Sequence, residues 1–244
     1  MNYLFICGTA RSGTTAMWRL VTADERLVIG LERYSKHSSH HALTTDLFTP
    51  ERFLELRAGD TFYPNLCEFD PYYEKVGALL AHAEYVGDKI PKLFNFLDTL
   101  FANIPTAKVI FMLRNIIDVA TSFESRANSI QDKSWPETRK TQAAIKEWRN
   151  SLLMLKKYHH DDRVFPVIYE EFFAANSSIE PLYQFLGLEP TQAAHLAHQT
   201  LLAQNLQLEI KRRKRELSVE GVQQICETAP FALYREVLRT IRAK

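Results

Sequence analysis

The segment YLFICGTARSGTTAMWRLV constrains this chain more than any other: an apolar run, a short loop bounded by Gly8 and Gly13, then apolar residues at helical spacing. Strand, glycine-bounded loop and helix in that order make a phosphate-binding turn. The glycines let the backbone curl until successive N–H groups point inward, and the helix adds its own free N–H groups and positive dipole end. In an ATP or GTP loop the residue after the second glycine is a lysine that reaches the β and γ phosphates; here it is Thr14. The cation is Arg11, inside the loop, whose planar fork suits a pair of phosphate or sulfate oxygens. Thr14 and Thr15 open the helix, where capping N–H groups and holding an anion are compatible roles. The bland alternative is a tight turn with an exposed arginine and no ligand.

The rest of the chain supplies a sheet for that loop to sit on. Apolar runs over residues 3–7, 108–113 and 164–169, with a weaker one at 85–86, predict buried strands. Residues 14–21, 93–102, 116–127 and 139–158 carry apolar side chains at helical spacing between them. Strands alternating with helices imply an α/β, P-loop-like three-layer fold with a central parallel sheet flanked by helices. Over residues 31–73 the periodicity weakens, with Pro50, Gly59 and Pro64 interrupting short helices, as an acceptor-side insertion would. The tail over 217–242 returns to amphipathic helix around a break at Pro230. No repeat or linker divides the chain, so one domain over 1–244 is expected.

A formal net charge of +1 gives no general attraction to nucleic acid or to membranes, so any anion site must come from local placement of charge. The opening apolar run is too short for a signal sequence and nothing later approaches a membrane span, which makes a cytoplasmic location the expectation. Cys7, Cys67 and Cys226 are widely spaced and odd in number, arguing against a disulfide framework or zinc site and for buried thiols. His37, His40 and His41 lie in a polar stretch without convergent carboxylates, and read as solvated histidines. His159 and His160 close a long helix, where cations suit the negative dipole end.

RSGTT between a strand and a helix resembles the 5′-phosphosulfate loop of sulfotransferases. It is closer to the arginine form of protein-tyrosine and many bacterial members than to the lysine form of the cytosolic small-molecule enzymes. The resemblance implies Arg11, Ser12, Gly13, Thr14 and Thr15 as ligands of the 5′ end of 3′-phosphoadenosine 5′-phosphosulfate (PAPS). Arg114 at a strand exit and Ser122 two helical turns later resemble the family's 3′-phosphate pair. Taken alone, these two residues fit equally an Arg114–Asp118 ion pair and a helix back-bond from Ser122. VFPVIYEEFFAANSSIEPLYQFLGL resembles a third family segment and implies a nucleotide contact for Tyr169, whose alternative is a buried ring with its hydroxyl satisfied.

Transfer to a hydroxyl needs proton removal, charge neutralisation and in-line placement. In the protein-tyrosine type a glutamate follows the loop arginine at a spacing that falls on Glu32, implying Glu32 as general base; a surface pair with Arg33 is the alternative. The histidine of the cytosolic members' KTH element has no counterpart in GDKIPKL. Lys89, at the expected end of the strand opened by Tyr85, is placed to stabilise charge on the bridging oxygen, or else pairs at the surface with Asp88. The resemblance thus implies a PAPS-dependent transferase releasing 3′-phosphoadenosine 5′-phosphate (PAP) and needing no metal. Its acceptor is a hydroxyl of a lipid, sugar, phenol, small molecule or peptide. The basic run at 211–215 is a further candidate for the nucleotide's 3′ end. A P-loop nucleotide kinase and an inactive PAP-binding protein are the rival readings.

Overall fold

The computed structural model describes residues 1–39, 43–55, 57–60, 70–132, 134–212 and 216–243. Five strands, β1 (Asn2–Gly8), β2 (Leu27–Leu31), β3 (Tyr85–Lys89), β4 (Ala107–Leu113) and β5 (Val164–Ile168), form one sheet in the order β2-β3-β1-β4-β5. Every pairing is parallel. The helices are, in chain order, α1 (Thr14–Val21), α2 (Ser35–Ser39), α3 (Pro50–Leu54), α4 (Asp70–Leu80), α5 (Leu97–Asn103) and α6 (Ile116–Ala127). There follow α7 (Thr141–Tyr158), α8 (Tyr169–Phe172), α9 (Glu180–Leu186), α10 (Gln192–Arg212), α11 (Val219–Thr228) and α12 (Phe231–Arg242). The α/β class expected from the sequence is the one observed.

Parallel strands are buried on both faces, which is why β1 and β4 read as unbroken apolar runs. Alternate residues of each strand enter two cores. Leu4, Ile6, Ile29, Ile110 and Met112 pack with Met17 and Leu20 of α1, Leu182 of α9 and Leu201 of α10. Phe5, Cys7, Val28, Val86, Val109 and Phe111 pack on the other face with Leu97 and Leu100 of α5, Phe123 of α6 and Trp148 and Leu152 of α7. The connection leaving β1 therefore covers one face and those leaving β3 and β4 cover the other. The chain parts at the carboxyl end of β1, the place where open α/β sheets hold ligands.

Among the elements that went unread in the sequence, β2 and α10 bear on the site. β2 is a five-residue run, LVIGL, buried along its whole length but too short to stand out beside Arg26 and Glu32. α10 lacks an apolar stripe because its buried face carries Ala194, His198, Leu201 and Asn205, two of them polar. These polar side chains are spent on hydrogen bonds: Asn205 Nδ2 donates to the Phe173 carbonyl at 3.3 Å, and His198 Nε2 lies 3.3 Å from the Phe172 carbonyl. The helix expected over 93–102 is a 3₁₀ turn, Pro91–Phe96, followed by α5. Cys7 is buried as expected, but Cys226 is exposed because it lies on the outer side of α11; Cys67 lies outside the described residues.

Gly87 shows how tightly β3 and β1 lie: a Cβ there would stand 1.7 Å from the Leu4 carbonyl oxygen, so an alanine has to push two central strands apart. Gly87→Ala is expected to cost at least about 2 kcal/mol of stability, read as a lower urea midpoint with an unchanged slope.

Candidate functional site

The loop between β1 and α1 is held in place by its glycines and by α7. Gly8 and Gly13 have φ of 144° and 98°, which an L side chain rarely adopts. Space also requires glycine: a Cβ on Gly8 would meet the Met112 carbonyl oxygen at 2.3 Å, and one on Gly13 would meet the Tyr169 ring at 2.3 Å. Between them Ser12 N–H donates to the Thr9 carbonyl at 3.0 Å, and Arg11 sits in the left-handed region at φ 70°. From α7, Ser151 Oγ meets Thr9 Oγ1 at 2.7 Å, Glu147 Oε1 accepts the Ala10 N–H at 2.6 Å, and Trp148 Nε1 donates to the Arg114 carbonyl at 2.9 Å. The buried face of one helix thus fixes both the loop and the end of β4.

The start of α1 is chemically prepared for an anion. Among the described residues no side chain caps its N-terminus, and its first turn holds no acidic residue, so the helix itself offers free N–H groups and a positive dipole end there. The fully buried Ser12 hydroxyl has no hydrogen-bond partner among the described residues, a state that costs free energy unless something supplies one.

The structure gathers most of the expected nucleotide residues around this point. A cleft of about 300 Å³ is lined by Arg11, Gly13, Thr14, Thr15, Arg114 and Tyr169. Arg11 Nε donates to Ser122 Oγ at 2.9 Å, which joins the loop to α6. Arg114 Nη1 donates to the Arg11 carbonyl at 3.3 Å, and its guanidinium lies 4.3 Å from the centre of the Tyr169 ring. Arg114 also makes the ion pair with Asp118 that the sequence offered as its alternative role, at 2.5 Å. Likewise the Tyr169 hydroxyl is satisfied, donating to Asn205 Oδ1 at 2.8 Å, while its ring forms cleft wall. Ser12 and Ser122 do not line the cleft themselves. Sequence reasoning missed its far wall, Arg19 of α1 with Phe173, Leu201, Gln204 and Asn205. Arg19 was findable, one turn beyond Thr15; the α10 residues were not, because α10 itself went unread.

Glu32 and Lys89 lie apart from that cleft and meet each other. They stand at neighbouring strand ends: Leu31 pairs with Lys89 in register, and Lys89 is level with Ile6, two residues before Gly8. Lys89 Nζ lies 2.6 Å from Glu32 Oε1, with the lysine side chain 2% exposed and the glutamate 23%. The surface alternatives fail on burial. Arg33 is buried and its guanidinium reaches Asp60 at 3.0 Å, and Asp88 is fully buried beneath the turn. His37 meets Asp60 at 3.1 Å. His40 and His41 lie outside the described residues, as do Arg213, Lys214 and Arg215 of the basic run.

Asp88 accepts the Arg33 N–H at 3.1 Å through Oδ1 and the Tyr34 N–H at 2.7 Å through Oδ2. Burial pushes its pKa up to about 7, against the lowering pull of those two amides and of the Lys89 ammonium. The folded protein therefore binds this proton more tightly than the unfolded chain does. The associated stability is fully present below the ordinary aspartate pKa and is lost as pH rises through about 7. Relative to Asp88→Asn, the wild type is expected to lose stability steadily from pH 4 to 7; parallel pH profiles in chemical denaturation would contradict this.

Among the described residues no helix is long and apolar enough to cross a membrane, and no three His, Cys, Asp or Glu side chains converge as metal ligands do. No curated protein matches this sequence. Solved structures do. A sulfotransferase from Alicyclobacillus acidocaldarius superposes with a TM-score of 0.55 at 16% identity, over 100% of this chain and 95% of its own. The sulfotransferase domain of the Synechococcus PCC 7002 olefin synthase gives 0.53 at 16%, over 99% and 93%, and that of the curacin biosynthetic pathway 0.54 at 14%, over 93% and 96%. At these identities the likeness establishes the fold. The sequence model described as "Sulfotransferase family" matches residues 4–192, which takes in most of β1, the loop, the other four strands and Tyr169, and this chain belongs to that family.

Proposed function

We propose that this protein moves a sulfuryl group from PAPS to an acceptor hydroxyl and releases PAP, acting as one transferase domain in the cytoplasm. The observation that carries the reading is the convergence of Arg11, Arg114 and Tyr169 on a cleft at the uncapped start of α1, with Glu32 and Lys89 paired at the adjoining strand ends. A donor with phosphate at both the 5′ and 3′ positions matches that distribution of cations. Residues 11–15 would hold the 5′ phosphosulfate by backbone N–H groups, hydroxyls and the Arg11 fork. Ser12 fits this role through its unpartnered hydroxyl. Arg114 and Ser122 would hold the 3′ phosphate, which requires Arg114 to share or exchange its Asp118 partner.

In the transfer, the acceptor oxygen forms a bond to sulfur as the bond from sulfur to the bridging phosphate oxygen breaks. The acceptor's proton passes to the Glu32 carboxylate. Charge builds on the bridging oxygen, and Lys89 is the ammonium beside Glu32 that can neutralise it. Their contact holds the base beside the ammonium that would face the bridging oxygen, and nothing in the scheme requires a covalent enzyme intermediate or a metal. The acceptor would enter past the segment over residues 31–73, and its class is a hydroxyl on a lipid, sugar, phenol, small molecule or peptide.

Calorimetry without added metal is expected to show PAP binding in preference to ATP, weakened about 10- to 100-fold by Arg114→Ala. Preference for ATP with Mg²⁺ would replace the reading with a kinase. In assays of PAP release from PAPS against a panel of alcohols, phenols and sugars, Glu32→Gln is expected to lower turnover by about 10²- to 10⁴-fold while PAP affinity holds. Tight PAP binding with turnover indifferent to Glu32 would point instead to a PAP-binding protein without transfer chemistry.

A further inference from the structure

The turn that presents Glu32 has a backbone that needs holding. Glu32 has φ 56°, in the left-handed region, a strained conformation that a residue with a Cβ keeps only where its surroundings enforce it. Three hydrogen bonds surround it. Glu32 N–H donates to the Lys89 carbonyl at 2.9 Å, continuing the β2–β3 ladder by one step. The next two N–H groups, of Arg33 and Tyr34, both end on the Asp88 carboxylate. Asp88 therefore captures consecutive amides just after Glu32, and the chain must reverse direction at Glu32 to deliver them.

Space is reserved for this carboxylate. Gly30 pairs with Asp88 across the two strands, and a Cβ on Gly30 would lie 2.9 Å from Asp88 Oδ1. Gly30 does not have a positive φ, so the glycine answers the carboxylate's need for room and not a backbone conformation. A fully buried acid is costly to keep without a purpose that two backbone bonds serve. Its neighbour in sequence, Lys89, points to the same turn and meets Glu32.

We propose that Asp88 is a positioning residue: by fixing the amides of Arg33 and Tyr34 it locks Glu32 in its left-handed turn and aims the Glu32 carboxylate at Lys89. Its effect on catalysis rests on the sulfuryl-transfer reading, whereas its effect on the turn does not. Asp88 itself is buried beneath the turn and touches no reacting group. A change at Asp88 should therefore act on the rate of transfer through the placement of the base, leaving nucleotide binding alone. Misplacing a catalytic group by about 1 Å costs on the order of 10²-fold in rate.

The test compares crystal structures of the wild type, Asp88→Ala and Asp88→Asn, with calorimetric PAP affinity and steady-state PAP release from PAPS using water and 4-nitrophenol as acceptors. Asp88→Ala is expected to release the turn, returning Glu32 to negative φ and opening its 2.6 Å contact with Lys89 beyond hydrogen-bond distance. Asp88→Asn, which keeps one carbonyl acceptor, should retain the turn in part and rescue part of the rate; it also serves where the alanine variant fails to fold. Turnover should fall about 10- to 100-fold in Asp88→Ala, with KM for PAPS and PAP affinity within about twofold of wild type. A positive φ at Glu32 and an intact Glu32–Lys89 contact in the alanine variant, or in the asparagine variant with full turnover, would overturn the proposal. A wild type that binds no PAP would defeat the transferase reading, while the crystallographic comparison would still decide what Asp88 does.

Discussion

The close approach of the β1–α1 loop to the end of β4 is the constraint from which the rest of the site follows. Gly8 lies against the Met112 carbonyl and Gly13 against the Tyr169 ring, at distances no side chain could tolerate. That intimacy brings Arg11 onto α6 through Ser122 and lets Arg114 lie over Tyr169 while reaching the Arg11 carbonyl. Cations from two separate strand ends then share one cleft. The helix behind them, α7, uses a hydroxyl, a carboxylate and an indole to hold the loop and Arg114 from outside. The inner surface of the loop is left for an anion.

Beside this cationic cleft stands a second, differently charged centre. Glu32, Lys89 and Asp88 gather at the ends of β2 and β3, where a carboxylate, an ammonium and a buried acid lie within adjoining residues of paired strands. Parallel pairing makes the juxtaposition possible, because strands running the same way place all their exit residues at one edge. A group held by the cleft and a second reactant held at the Glu32–Lys89 pair would meet across the end of β1.

Much of this was legible in the sequence because its signals are local. The loop motif, β1, β4, β5, the long helix α7 and the break at Pro230 each announce themselves within about twenty residues. Arg114 and Tyr169 were readable as strand-exit residues, but not the fact that each lines the cleft while also holding a protein partner, Asp118 for one and Asn205 for the other. What stayed hidden depends on tertiary contacts. β2 is too short to be distinctive, α10 spends its buried face on His198 and Asn205, and the far wall of the cleft comes from α10. The left-handed φ of Glu32 and the grip of Asp88 on the turn leave no mark in composition or periodicity, since Gly30, Glu32 and Asp88 are ordinary residues until β2 and β3 are paired.

A crystal structure of the protein with PAP tests the proposed nucleotide site. The 5′ phosphate is expected on the backbone N–H groups of residues 12–15 and the 3′ phosphate within hydrogen-bond distance of Arg114 and Ser122, with the Glu32–Lys89 pair facing the 5′ end. A nucleotide bound elsewhere, or bound with its 3′ phosphate away from Arg114, would contradict it.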